Sequence, residues 1–170
     1  MSWQTRFATE DDVPAIVALV NRAYRVEDFF KFGDRTDARE VREHLASGRF
    51  LLAEASDGAL AGSAYVRVRG PRGYFGMLSA DPARAGQGLG RFLVASAEAI
   101  CREAGCIEMD LSVVNLRQEL FPWYRKLGYR ECGTEPWPAN EPTRIPCHFV
   151  LMTRSLAVPV PEITRMESLA

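Results

Sequence analysis

The sequence predicts an α/β protein in which helices cover both faces of one mixed β-sheet. Apolar residues at helical spacing are interleaved along the chain with short runs rich in β-branched and aromatic residues. The predicted order is helix, helix, three strands, helix, strand, helix and two strands. With 170 residues, of which 47% are hydrophobic, the chain is large enough for one core. We expect a single domain over residues 1–155 and a loosely held tail over residues 156–170.

Charge and hydropathy narrow the possible partners. The chain has 21 Lys and Arg against 22 Asp and Glu, without a basic tract, so we expect neither a nucleic acid nor a membrane as partner. The first residues lack the pattern of a signal peptide, and the run VPAIVALV is too short to span a bilayer. These features predict a cytoplasmic protein with small or neutral partners. We expect a monomer or a homodimer, since exposed edge strands would permit a dimer.

The four cysteines are scattered without CxxC spacing or a histidine-rich neighbour. We therefore expect no metal site, and we expect the thiols to be reduced and mostly buried.

Two amphipathic helices are predicted near the start of the chain. Thr9 or Asp11 is expected to cap the first. The second is expected over TDAREVREHLASG, with Thr36 as its cap and Gly48 ending it in the left-handed conformation. The apolar stripe of the first helix comprises Val13, Ile16, Val17, Val20 and Tyr24.

Strands and turns dominate the next segment. RFLLAEAS and ALAGSAYVRVRG are predicted to form a hairpin around Asp57-Gly58, and YFGMLSA a third strand that ends at Asp81-Pro82. Helical spacing then runs from Leu89 to Gly105, and CIEMDLSVV reads as a further strand.

A last helix and two strands complete the predicted order. In NLRQELFPWYRKLG, Asn115 and Gln118 fit a capping box, and Pro122 is expected to kink or restart the helix. YRECGTE and CHFVLMTRS are the final predicted strands.

The stretch ARAGQGLGR, residues 83–91, lies between a predicted strand and a predicted helix. A glycine-rich turn at a helix start presents free amides and the positive end of the helix dipole, which favours a bound phosphate. A nucleoside-triphosphatase loop is excluded, since Arg91 and Phe92 replace the required Lys-Ser/Thr. A tight turn that binds no ligand remains an alternative interpretation. A dinucleotide site of an oxidoreductase is another alternative. Leu93 stands where that motif requires its third small residue, but Asp110 lies near the distance expected for a ribose-binding acid.

MLSADPARAGQGLGRFLV resembles the acetyl-CoA-binding segment of the GNAT superfamily of N-acetyltransferases. In that register Ala85 takes the first signature position, and an arginine, Arg84, stands one residue earlier. VVNLRQELFPWYRKLGY is similar to the family's later strand and helix, and RFATEDDVPAIVALVNRAY to its opening elements. The resemblance implies the GNAT fold, with a mixed, mostly antiparallel central sheet and helices on both faces.

The resemblance also implies which residues bind acetyl-CoA as co-substrate. Main-chain amides of the glycine turn would hold the pyrophosphate, and the end of the preceding strand would pair with the pantetheine arm. The implied set is Leu78, Ala80, Ala85, Gly86, Gln87, Gly88, Leu89, Gly90, Arg91 and Asn115.

For catalysis, the resemblance implies direct transfer of acetyl to a primary amine. Tyr124 is the candidate acid for the leaving thiolate, although a core tyrosine beside Leu120 and Leu127 is the alternative. The amide of Leu78 or a neighbour is the candidate oxyanion donor. For the base, the sequence leaves open Glu54, Glu108, Asp110, His148 or a chain of water molecules.

The acceptor is expected between the loops RVEDFFKFGDR and PWPANEPTRIP, where aromatic residues and acids suit an ammonium group. The alternative is that these aromatics fill a satellite core. A non-catalytic acyl-CoA-binding module is the second functional hypothesis. The candidate substrate residues are Phe29, Phe30, Tyr65, Trp137 and His148.

Overall fold

The structure, a computed structural model, describes residues 2–157. Its seven-stranded sheet has the order β1-β2-β3-β4-β5-β7-β6, and every neighbouring pair is antiparallel except β4 and β5. The strands are β1 Gln4–Phe7, β2 Arg49–Glu54, β3 Leu60–Arg69, β4 Arg72–Ala80, β5 Glu108–Val114, β6 Arg130–Pro136 and β7 His148–Ser155. The α-helices of the described residues are α1 Val13–Ala23, α2 Ala38–Ser47, α3 Leu89–Glu103 and α4 Leu120–Lys126.

Helices cover both faces of the sheet, which confirms the predicted fold class. On one face α1 packs on β3 and β4 and α2 packs on β2, and Ile16, Val41 and Phe50 belong to the apolar cluster between them. On the other face α3 contributes Leu93 and Ala97 to a larger cluster. All five of these side chains are 0% exposed, so each helix buries the apolar stripe that its spacing predicts.

The predicted hairpin turn and the long helix are both present. Gly58 has φ +81°, and the Ala55 amide donates to the Ala59 carbonyl across the turn. Leu156 lies beyond the predicted domain boundary, yet its side chain is 2% exposed and its amide donates to the Ile107 carbonyl at 2.8 Å. The core therefore extends one residue past 155, and the rest of the predicted tail from residue 158 lies outside the described residues.

Two predicted helix caps are wrong. Asp37, not Thr36, caps α2, because its carboxylate accepts from the Glu40 amide at 2.8 Å. The capping box at Asn115 does not form. Its side-chain oxygen instead accepts from the His148 amide at 2.9 Å, and α4 begins five residues later at Leu120. Pro122 consequently lies in the first turn of α4, where its missing amide hydrogen costs no helical bond.

Gly48 does not end α2 in the left-handed conformation, since its φ is −166°. The glycine is needed for close approach: a β-carbon there would lie 2.6 Å from the Val66 carbonyl oxygen and 2.7 Å from the Tyr65 ring. The backbone of α2 therefore meets β3 at a point where only hydrogen fits.

We expect Gly48→Ala to lower the free energy of unfolding by about 1–3 kcal/mol, because the added methyl group overpacks a contact with rigid backbone. Chemical denaturation measures this change. Gly133→Ala is the matched control, since its β-carbon would meet only the Leu151 side chain at 3.7 Å. Equal stability of the two variants would contradict the close-approach explanation.

Candidate active site

The glycine-rich turn between β4 and α3 presents a row of unused main-chain donors. Gly86 and Gly88 have φ of +78° and +76°, a conformation that costs L-residues with a β-carbon about 1–2 kcal/mol. The first main-chain bond of the helix runs from the Phe92 amide to the Gly88 carbonyl at 3.0 Å. Among the described residues, the amides of residues 86–91 have no hydrogen-bond partner. Free amides at the start of a helix favour the binding of an anion.

β4 and β5 separate beside this turn. The two strands pair only from Arg72 to Tyr74, opposite Glu108 to Asp110, and their carboxyl-terminal halves diverge. Strand β4 also contains a bulge, because Met77 and Leu78 together oppose Ala64 of β3, and Met77 has φ +49°. The separation opens a cleft that runs into the protein from the glycine turn.

Two cavities meet in the cleft. The first, of about 400 Å³, lies between the end of β4 and helix α4, and Ala80, Gly90 and Trp123 line it. The second, of about 240 Å³, lies between the diverging strands and is bounded by Gly76, Val113 and Trp137 among others. Both cavities are lined by Tyr24, Leu78, Arg117, Leu120 and Tyr124. One continuous path therefore leads from the glycine turn to the interior of the sheet.

Tyr124 stands where the two cavities join. Its ring is 6% exposed and packs against Trp123 and Phe75, with centroids 4.8 and 6.2 Å away. Burial raises its pKa well above the ordinary value for tyrosine, so the hydroxyl keeps its proton at neutral pH. Tyr24, on the opposite wall, also has its pKa raised by burial, to about 12.

A buried ion pair supports the junction. Arg117 donates to Glu27 at 2.9 Å and to Glu119 at 2.6 Å, and the Glu27 residue is only 5% exposed. Separation of the two side chains would leave a charge buried without compensation. The pair therefore holds the loop of Glu27 against the segment that precedes α4.

The model of the acetyltransferase (GNAT) family matches residues 14–129. The chain belongs to the GNAT family. A mycothiol acetyltransferase of Clavibacter sepedonicus is 32% identical over 130 residues, which is 75% of this chain and 42% of that protein. This GNAT chain thus spans less than half the length of the curated relatives it matches.

Solved GNAT structures share the fold. The ribosomal-protein-S18-alanine N-acetyltransferase of Escherichia coli superimposes with a TM-score of 0.76 at 16% identity, covering 95% of this chain and 99% of that one. A phosphinothricin acetyltransferase of Sinorhizobium meliloti in complex with acetyl-CoA gives 0.73 at 16% identity, covering 92% and 90%. The predicted GNAT fold is therefore confirmed.

The segment that the sequence analysis predicts to bind acetyl-CoA lies beside the cleft. Ala85 to Arg91 form the turn and the start of α3, and Leu78 and Ala80 line the 400 Å³ cavity. Gly90 has the helical conformation, so of the three glycines only Gly86 and Gly88 require a positive φ. Asn115, predicted at the outer end of the pantetheine arm, is occupied by its bond to the His148 amide.

The predicted substrate residues separate into two groups. Trp137 lines the 240 Å³ cavity. Phe30 is fully buried, and its ring packs edge-on against the Trp137 ring with the centroids 6.2 Å apart. Phe29 is 49% exposed and His148 is exposed, and neither lines this cavity. Tyr65 lies in the core between α2 and the sheet, where its hydroxyl pairs with that of Ser47 at 2.8 Å.

The acids considered as bases lie away from the junction. Glu54 accepts from Arg6 at the β1–β2 edge at 2.8 Å. Arg72 binds the Asp110 carboxylate at 2.6 and 2.7 Å, and holds its pKa below the usual range despite the opposing effect of burial. Glu108 lies at the paired end of β5, before the strands diverge.

The sequence analysis missed several polar residues of the 240 Å³ cavity. Tyr24, assigned to the apolar stripe of α1, lines both cavities. Arg117, Lys31 and Arg35 were not singled out at all. The available signal was their position: Lys31 lies between Phe30 and Phe32 of the aromatic loop, Arg35 is the last residue of that loop, and Arg117 follows a predicted strand end.

The four cysteines differ in burial. Cys101 and Cys106 are buried, Cys147 is half-buried and Cys132 is exposed, so the thiols are less uniformly buried than expected. Within residues 2–157 no cluster of His, Cys, Asp and Glu has the arrangement of a metal site. In the same range, none of the helices has the length and apolar character required to cross a bilayer.

Proposed function

We propose that the protein is an acetyl-CoA-dependent N-acetyltransferase that transfers acetyl directly to a primary amine of a small molecule or peptide. The observation that supports this most strongly is that the 400 Å³ cavity reaches Gly90, beside the free amides of the turn, and shares Leu78 and Tyr124 with the 240 Å³ cavity between the diverging strands. A purely structural turn would need neither free amides nor a cavity leading away from it.

The chain's own groups fit the coenzyme. The amides of Gly86 through Arg91 would hold the pyrophosphate, and Arg84 lies close by, over the Trp3 ring at 5.8 Å. The diverging edge of β4 would pair with the amides of the pantetheine arm. Acetyl-CoA supplies the acetyl group as a thioester. Because of these contacts, the reacting end would lie beside Tyr124.

Tyr124 acts best as a hydrogen-bond donor to the departing sulfur. With reference pKa values of about 10 for a phenol and 8.5 for a thiol, full proton transfer to the thiolate is uphill, and burial of Tyr124 makes it more so. A donated hydrogen bond lowers the energy of the thiolate without that cost. The attacking amine releases a proton of its own, so the overall reaction balances without ionisation of Tyr124.

The main chain of β4 offers the oxyanion donor. Leu78 lies at the bulge and lines both cavities, which supports its amide in this role. Neither Cys106 nor Cys147 lines the 240 Å³ cavity, which favours direct transfer over a cysteine acyl-enzyme. We propose that water in the cavity relays the amine's proton, since Glu27 is engaged by Arg117.

A non-catalytic acyl-CoA-binding module remains the second candidate. It is favoured by one observation: Glu54, Glu108 and Asp110 all lie outside the junction. The oxidoreductase alternative loses its support, because Asp110 is bound by Arg72.

Release of the CoA thiol from acetyl-CoA, measured across polyamines, amino acids, aminoglycosides and peptides, tests the proposal. For an accepted amine we expect kcat/KM to rise with pH as the amine loses its proton, with no fall below about pH 10. The reason is that burial raises the pKa of Tyr124, so its donor hydrogen is retained over that range. Binding of acetyl-CoA without amine-dependent thiol release would favour the non-catalytic module.

A further inference from the structure

We propose that the 240 Å³ cavity holds an anion subsite, formed by Arg35 and Lys31, that binds a carboxylate of the acceptor, so that the preferred acceptor is of the α-amino acid type. This inference rests on the proposed function and deepens it. Both residues lie in the loop between α1 and α2. They line the 240 Å³ cavity, which we call the inner cavity, and also a larger cavity of about 630 Å³, which we call the outer cavity.

Two like charges are held together there without hydrogen-bond partners. The Arg35 guanidinium lies 3.7 Å from Glu40, beyond hydrogen-bond distance, and its side chain is only 28% exposed. Lys31 is half-buried. Among residues 2–157, neither side chain donates a hydrogen bond, and neither has an ion-pair contact shorter than the 3.7 Å between Arg35 and Glu40. Burial and the nearby Arg35 charge both lower the pKa of Lys31. Unused donors of this kind favour an anionic ligand.

The orientation of Arg35 suits a carboxylate. Its guanidinium lies over the Tyr24 ring, with its carbon 5.2 Å from the centroid. A cation–π contact of this kind uses one face of the planar group, so its N–H edges can still donate two parallel hydrogen bonds to a carboxylate. Tyr24 itself lines the junction with Tyr124, so the subsite is next to the point of acetyl transfer.

Among the described residues, no carboxylate of the same cavity accepts a hydrogen bond from Arg35 or Lys31, and the ion-pair contact of Arg35 with Glu40 is a long one at 3.7 Å. Glu27 is bound by Arg117 at 2.9 Å, and Glu40 accepts from the Thr36 hydroxyl at 2.6 Å. Glu141 is exposed. The inner volume is smaller than that of pockets for drug-sized ligands, which fits a compact acceptor carrying an amine and a carboxylate.

The test compares the common α-amino acids with their neutral α-carboxamides in the thiol-release assay, using the wild-type chain, Arg35→Gln and Lys31→Gln. For the best amino acid we expect a KM about tenfold below that of its carboxamide. Arg35→Gln should raise the KM for the acid about tenfold and leave kcat and the KM for the carboxamide nearly unchanged. Lys31→Gln should shift the KM in the same direction.

Arg42→Gln is the matched control, because Arg42 is exposed on α2, pairs with Glu10 at 2.5 Å and lines neither the 240 Å³ nor the 630 Å³ cavity. It should leave the preference for the acid intact, and melting temperatures check the folding of each variant. Carboxamides that react as well as acids, or a preference that survives in both cavity variants, would overturn the subsite while leaving acetyl transfer standing. A chain that acetylates neither series would overturn both proposals.

Discussion

Tyr124→Phe is expected to lower kcat about 100-fold or more while acetyl-CoA binds with unchanged affinity. The substitution removes only the hydroxyl at the junction of the two cavities, and the ring contacts with Phe75 and Trp123 remain. Loss of one positioned hydrogen-bond donor to a developing negative charge typically costs a factor of about 10² to 10³ in kcat. Thiol-release kinetics and calorimetric titration with acetyl-CoA separate the two quantities.

Tyr129→Phe is the matched control for that experiment. The Tyr129 hydroxyl is also buried, but it donates to Glu98 at 2.8 Å in the core and does not line either cavity. We expect this variant to lose about 1.5–3 kcal/mol of unfolding free energy, because the bond is to a charged group, and to keep its kcat. Equal activity of the Tyr124 variant and the wild-type protein would show that Tyr124 is the core tyrosine of the alternative interpretation.

Gly88→Val is expected to weaken acetyl-CoA binding about 100-fold. Gly88 precedes the first residue of α3 with φ +76°, which a β-branched residue adopts only with strain. The substitution therefore either bends the turn away from its geometry or places a side chain beside the free amides. Both effects remove donors from the pyrophosphate site, and calorimetry measures the loss.

Gly58→Val separates strain from binding. Gly58 has φ +81° in the hairpin turn between β2 and β3, and a β-carbon at either glycine would meet nothing within 4 Å. The two variants should therefore lose similar stability, whereas the affinity for acetyl-CoA should fall only in Gly88→Val. A comparable loss of affinity in both would mean that the turn acts through overall stability.

The fold was largely predictable because its signals are local. Helical spacing, the Asp57-Gly58 turn and the glycine-rich helix start each act within a few residues, and the structure contains all three. The predicted capping box at Asn115 failed for the opposite reason. Asn115 bonds to His148, which is 33 residues away in the sequence, and such a bond outweighs the local capping pattern.

The polar end of the cleft was not predictable from one sequence. Glu27 is one of the acids of RVEDFFKFGDR that suit an ammonium group in the sequence analysis, but it pairs with Arg117, 90 residues further along the chain. The role of Gly48 likewise depends on the distant Val66 carbonyl. Pattern analysis recognises a residue type at a spacing, whereas these contacts depend on where the sheet brings separate loops together.

A crystal structure of the chain with acetyl-CoA is the most direct test of the central claim. We predict pyrophosphate oxygens within hydrogen-bond distance of the amides of residues 86–91, and the thioester sulfur beside the hydroxyl of Tyr124. A coenzyme bound elsewhere, with these amides facing only solvent, would contradict the account.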